Sequence, residues 1–174
     1  EMGQLQSMDN TLKKISSLNK ALLLLAKIEN NQFIEIEQIN ISEVLSKAIE
    51  NIQEVAEVKG LKLFTSIEPN ILVKLNPTLC EVLISNFLQN SIRHNKQGGE
   101  IQVKLSTNGL IVSNSGEPLS IKPEELFVRF KKNDSSKESI GLGLAIVKGI
   151  VDLYNFSIRY SFENSMHHFV LKFI

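Results

Sequence analysis

Between Gln4 and Glu29, apolar residues recur at steps of three or four: Leu5, Met8, Leu12, Ile15, Leu18, Leu22, Leu25 and Ile28. That spacing predicts one long amphipathic helix with a seam like that of a coiled coil, although Asn19 falls on the seam in a strict heptad. The helix either packs on its own domain or forms one arm of a helical dimer. The dimer arm is the favoured reading, because no polar break separates the helix from the start of the chain. Asn30-Asn31-Gln32-Phe33 ends the helix, and the alternation in Phe33 to Glu37 predicts a short strand. Asn40 is expected to cap the next helix, with Glu43 reaching back as in a capping box. Val44, Leu45, Ala48, Ile52, Val55 and Ala56 form its inner face, and Gly60 stops it. Leu61, Leu63, Thr65 and Ile67 alternate as a strand, and Ile71 to Leu75 is a second extended piece.

Asn76-Pro77 then starts a third helix, a cap residue followed by proline at the first helical position. Gly98-Gly99 turns the chain into a strand from Glu100 to Ser106, and Asn108-Gly109 signals a hairpin into Leu110 to Ser113. Residues 115 to 140 show no clear period, and a loop of that length in a compact domain usually carries function. Gly141-Leu142-Gly143 opens a last helix through Leu144, Ile146, Val147, Ile150 and Val151. Strands at Phe156 to Phe162 and His168 to Phe173 close the chain. The order predicts a two-layer α/β sandwich, a mixed sheet with helices on one face, preceded by the long helix. The expected division is residues 1–30 and 31–174.

Composition narrows the function. Apolar residues make up 43% of the 174 positions, enough for a sizeable core. Lysine plus arginine balances aspartate plus glutamate, 19 against 19, which gives no support for nucleic-acid or membrane-surface binding. Cys80 stands alone, so neither an internal disulfide nor a cysteine metal cluster can form. The chain opens inside a helical pattern and is expected to be part of something longer.

The candidate chemistry lies in three places. Asn86 and Asn90 stand one turn apart on the stripe of Leu79, Val82 and Leu83, although asparagine is a poor helix former. By themselves such amides most often cap or tie a core. Val112-Ser113-Asn114-Ser115-Gly116 is a strand ending in small polar residues. Gly141-Leu142-Gly143-Leu144 puts glycines at a helix start, where backbone N–H groups and the helix dipole suit an anion.

Taken together and in this order, these segments resemble the catalytic, ATP-binding domain of sensor histidine kinases, of the Bergerat type shared with gyrase and Hsp90-like ATPases. The boxes that match are Asn86-Phe87-Leu88-Gln89-Asn90-Ser91-Ile92-Arg93-His94, Asn114-Ser115-Gly116, Leu126-Phe127-Val128-Arg129-Phe130, and Gly141 to Val147. The likeness covers residues 33 to 174, and residues 4 to 29 resemble the second helix of the family's dimerisation and phosphotransfer hairpin.

The resemblance implies ATP and Mg²⁺ as cofactors, with the Asn90 amide oxygen on the metal. Asn86 and Arg93 would face the polyphosphate, and Asn86, Asn90 and Arg93 would form the catalytic set. His94 would pack near adenine or, as a helix-end residue, against the helix C-terminus. Asn114 would accept from the adenine amino group, where the family usually has aspartate. An Asn114→Asp variant is accordingly expected to bind ATP more tightly. Gly116, Gly141, Leu142, Gly143 and Leu144 would line the nucleotide, and Phe127 and Phe130 would anchor a lid spanning Glu117 to Ile140. Arg129, Lys131 and Lys132 would lie within reach of phosphate.

Two departures stand out. Pro118 replaces a glycine, so the start of the lid should follow another path, and Ser139 stands where a further glycine is common. ATPases of the gyrase type carry glutamate at the position of Asn86, and an amide cannot take a proton from water. ATP should therefore be held for another nucleophile. None of His94, His167 and His168 fits the family's phosphoacceptor pattern, so the acceptor is expected outside this chain. The resemblance further implies a response regulator as partner, a homodimer through the N-terminal helix, and a cytoplasmic domain of a membrane-anchored parent. The alternative is a nucleotide-binding or protein-interaction module with weak or lost catalysis. A serine kinase acting on an anti-sigma antagonist is less favoured, since that group usually keeps the glutamate.

Overall fold

The computed structural model describes residues 2–131 and 141–173. Helix α1 spans Met2–Glu29, and the first strand, β1, spans Glu37–Asn40. That strand is expected at 33–37 and forms later because its partner, β3 (Leu72–Leu75), pairs with it from Glu37↔Leu75 to Asn40↔Leu72. The alternating Ile34 and Ile36 stay exposed. The segment before β1 is held instead by a side chain, with Asn76 Nδ2 donating to the Glu35 carbonyl (3.0 Å).

Helix α2 (Ile41–Val58) starts differently from the expected capping box. Asn40 makes no side-chain cap bond to the helix backbone. Its amide donates to Glu43 Oε1 (2.7 Å), a side-chain pair that leaves the helix N–H groups untouched. Ser42 ties this end down, donating to the Glu68 carbonyl (2.7 Å) and accepting from Ile71 N–H (3.0 Å). Gly60, at φ +66, ends α2, while Leu61 N–H returns to the Ala56 carbonyl (2.9 Å). Val55 is half exposed, whereas Ile41 and Ile49, absent from the expected inner face, are buried.

Helix α3 (Pro77–Arg93) has the expected start: Asn76 Oδ1 accepts from Leu79 N–H (3.2 Å), and proline takes the first position. Strands β2 (Lys62–Ile67), β4 (Glu100–Ser106), β5 (Gly109–Ser115), β6 (Ser157–Glu163) and β7 (Met166–Lys172) form one sheet in the order β2-β4-β5-β7-β6. β2 and β4 run parallel and the other pairs antiparallel, so the sheet is mixed. One face of it carries the rows Val103–Val112–Phe169 and Leu105–Leu110–Leu171, all buried. Helices α2, α3 and α4 (Gly143–Leu153) cover that face. Leu79, Leu83 and Phe87 carry α3 into it, and the Phe87 and Phe169 rings meet at 6.0 Å. Full burial of each such side chain contributes about 1.5–3 kcal/mol.

The two ends of α1 differ in burial. Leu25 and Ile28 are buried on α4, where Gly149 permits close approach: an added Cβ would lie 3.3 Å from Ile28 Cγ2. Met8, Leu12 and Ile15, on the same seam, are each more than half exposed.

Candidate functional site

The second half of α3, the end of β5, the start of α4 and the β6–β7 pair enclose a cavity of about 290 Å³. Asn86, Asn90 and Arg93, at i, i+4 and i+7, present one face of α3 to it. The Asn86 amide donates to the Val82 carbonyl one turn back (2.8 Å), which turns its oxygen toward α4. There Gly143 has no room for a side chain, since a Cβ would stand 2.7 Å from Asn86 Oδ1. Glycine at this position lets the N-terminus of α4 close on α3, with its positive dipole end at the cavity.

The turn before α4 needs a second glycine for a different reason. Gly141 has φ +74, and its carbonyl accepts from Phe130 N–H (2.9 Å). Gly141, Gly143 and Leu144 line the cavity. Leu142 does not: it is buried in the core at the first position flanking α4. Phe130 is also absent from the lining. The 3₁₀ helix Pro123–Phe127 ends before it, and Phe130 lies at φ +62 with its ring exposed. Phe127 and Phe130 therefore share no helical face; Phe127 packs on the core alone.

The other end of the cavity is built on β5. Asn114, 1% exposed, donates from Nδ2 to the carbonyls of Ser115 (3.0 Å) and His94 (3.4 Å). Its cross-strand partner is His167. The His167 ring accepts at Nδ1 from the Tyr160 hydroxyl (2.8 Å) and donates to the Glu117 backbone carbonyl. Burial, opposed by the Glu117 bond, pushes its pKa below the usual histidine value. Burial also pushes the Tyr160 hydroxyl up to about 12. Gly116 lies against this ring: a Cβ there would stand 2.3 Å from Nε2. Gly116 N–H donates to the Ser165 carbonyl (3.1 Å), which tethers the start of the lid to the β6–β7 turn before exposed Pro118.

His94 and Gly116 line this end, with Leu119, Leu126 and Phe169 as apolar walls. Arg93, Lys96 and Lys131 bring positive charge to the rim. Lys131 also pairs with Glu125 (2.8 Å). Arg129, expected near phosphate, is instead paired with Glu29 at the end of α1. Lys132 and Ser139 lie outside the described residues.

Tyr160, His167 and Phe169 escape a motif-based reading, because each sits far along the chain from the asparagine helix. One signal was available: His167 is in phase with Phe169 and Leu171, so period two places it on the inner face.

Residues 76–173 match the model for the histidine kinase-, DNA gyrase B-, and HSP90-like ATPase family. The heme sensor protein HssS of Staphylococcus aureus is 33% identical over 91% of this chain, and the chain spans 38% of its length. Among solved structures, the Acinetobacter baumannii histidine kinase AdeS superposes with TM-score 0.74 at 23% identity, over 97% of this chain and 82% of that one. Full-length ShkA in complex with AMPPNP superposes with TM-score 0.76 at 19% identity, over 99% of this chain and 38% of that one. The chain belongs to the histidine kinase-, DNA gyrase B-, and HSP90-like ATPase family.

Proposed function

We propose that this chain is the ATP-binding catalytic domain of a sensor histidine kinase, holding ATP so that its γ-phosphate passes to a histidine outside the chain and on to a response regulator. The observation that carries the reading is Asn86 at the contact between α3 and α4. Its amide is fixed by the Val82 carbonyl beside Gly143, and by the resemblance it occupies the position at which gyrase-type ATPases carry a carboxylate to take a proton from water. The cavity can then stabilise a polyphosphate through the α4 N-terminus, Arg93 and Lys131, while the amide of Asn86 cannot act as a base toward water.

The donor set fits Mg²⁺ held jointly with phosphate. Among the described residues no group of three or more His, Cys, Asp or Glu could cage a metal, while Asn90 offers a neutral oxygen at the cavity wall. Magnesium prefers hard oxygen ligands and retains waters, and when bound it supplies charge neutralisation between the β- and γ-phosphates. Asn90→Ala should lower Mg²⁺–ATP affinity by about 30-fold, roughly 2 kcal/mol.

Among the described residues no helix is long and apolar enough to cross a membrane. On the proposed reading a membrane anchor belongs to the parent protein, and two parents pair through the exposed seam of Met8, Leu12 and Ile15 on α1. The test uses γ-labelled ATP on two proteins, the chain as it stands and a version extended N-terminally through a complete helical hairpin. The chain alone should neither hydrolyse ATP appreciably nor label itself. The longer form should acquire a label stable to base and labile to acid, as expected of a phosphoramidate. Self-labelling of the chain alone, or acid-stable label on serine, overturns the proposal.

A further inference from the structure

We propose that the Glu125 carboxylate competes with the phosphates of the nucleotide for the Lys131 ammonium, so that ATP binding exchanges one partner of Lys131 for another and Glu125 tunes the affinity of the site. The inference rests on the nucleotide-binding reading above and adds to it a residue that acts through another. Three cations line the rim of the cavity: Arg93, Lys96 and Lys131. Among the described residues, Lys131 alone of the three has a carboxylate partner, Glu125 Oε1 at 2.8 Å. Lysine suits an exchange of partners. Its ammonium is a compact charge on a flexible four-carbon stem, and it can turn while the backbone stays still.

The backbone around Lys131 is held in place. Phe130 N–H donates to the Gly141 carbonyl (2.9 Å), and Lys131 N–H donates to the Val128 carbonyl (3.3 Å). Gly141 packs so close that a Cβ there would lie 3.0 Å from the Lys131 carbonyl oxygen. These contacts fix the root of the lysine beside the turn that opens α4, whose N-terminus favours an anion. Two residues earlier, Arg129 is paired with Glu29 at the end of α1. The part left to move is the Lys131 side chain, which is 48% exposed.

Glu125 is held from two sides. Its Oε2 accepts from the Lys122 N–H (3.4 Å) at the start of the 3₁₀ helix, and its Oε1 accepts from the Lys131 ammonium beyond the end of that helix. The Lys131 bond, and then the Lys122 bond, hold the carboxyl below its ordinary range, so it is charged at neutral pH. Loss of Lys131 to a phosphate leaves the Lys122 bond in place. The exchange therefore breaks one exposed ion pair and no secondary structure. Exposed pairs contribute little, whereas a charge-assisted bond to phosphate at a cavity rim contributes more. The balance favours the phosphate, and the net affinity is what remains after the Glu125 pair is broken.

The experiment measures Mg²⁺–ATP affinity by calorimetry on the 174-residue chain, its Glu125→Gln and Lys131→Met variants and the double variant. Glu124→Gln removes a neighbouring carboxylate and controls for charge alone. Glutamine keeps an oxygen for the Lys122 N–H and loses the charge that holds Lys131. Glu125→Gln should tighten ATP binding about two- to fivefold, the range of one exposed ion pair. In the Lys131→Met background the same change should have no effect, which a purely structural role of Glu125 would not produce. Lys131→Met should weaken ATP binding about tenfold when added to Glu125→Gln, and less when added to wild type, where the broken pair already offsets part of the phosphate bond. Glu124→Gln should shift the affinity less than Glu125→Gln does. Unchanged or weaker ATP binding by Glu125→Gln, equal tightening with and without Lys131, or equal tightening by Glu124→Gln overturns the inference while leaving the nucleotide site intact. Absence of ATP binding by the wild-type chain overturns the functional reading and the inference with it.

Discussion

Replacing Gly116 by alanine tests whether the end of β5 is shaped by the His167 ring. The added methyl would sit 2.3 Å from Nε2 and 2.6 Å from Cδ2 of that ring. A comfortable contact is about 3.5 Å, so the shortfall is roughly 1 Å, too much for bond-angle adjustment alone. The ring must turn away and give up its bonds to the Tyr160 hydroxyl and the Glu117 carbonyl. It would also lose its packing against Phe162, whose ring centroid is 4.9 Å away. Two buried hydrogen bonds at about 0.5–1.5 kcal/mol each give a cost of about 1–3 kcal/mol. For a chain of this size that corresponds to a fall of roughly 3–10 °C in Tm. The sign is informative because Gly116 lies outside the left-handed region. Without the ring, Gly→Ala there should be neutral or stabilising by about 0.4–1 kcal/mol, through the unfolded chain. Chemical denaturation of wild type, Gly116→Ala, His167→Ala and the double variant closes a cycle. Gly116→Ala should be harmful in the wild-type background and close to neutral once His167 is alanine. Equal cost in both backgrounds would refute the steric account.

Two further outcomes follow from burial. The His167 pKa is held below the ordinary 6.5, so between 6.5 and its folded value the unfolded chain binds a proton that the folded chain does not. Stability should be level above that window and fall as pH drops through it; His167→Gln should remove this component, and identical Tm slopes between pH 7.5 and 5.5 for the two proteins would contradict it. Burial first, and then the Glu81 charge, push the Cys80 thiol up to about 12. A disulfide reagent at pH 8 should leave it untouched in the native chain and modify it promptly in denaturant, and fast native labelling would show that α3 opens.

Much of this protein is determined locally. Asn76-Pro77 starts α3 through a cap and a preset φ, and Gly60 ends α2 through a positive φ, so both boundaries can be read from a few neighbouring residues. Asn86 and Asn90 share a face because of helical period alone, and Gly143 stands at a helix start whatever it packs against. The asparagine helix and the glycine turn were therefore legible as a candidate site from spacing.

What lies between distant segments was not legible. β1 forms at 37–40 rather than 33–37 because only a paired β3 decides which residues of an alternating run bond. Phe130 leaves the cavity because the 3₁₀ helix stops short and the chain turns onto Gly141, a contact between segments that sequence spacing cannot measure. Arg129 turns to Glu29, a hundred residues away, instead of to the cavity. Asn114 reads as a replaced aspartate along the chain, and its nitrogen is tied to the His94 carbonyl only when packing brings the end of α3 to it. Propensity and period act over a few residues and are written in them. The direction of an amide, the room for a methyl group and the partner of a charge depend on which distant atoms the packed core brings within about 3 Å, and only the tertiary structure decides those.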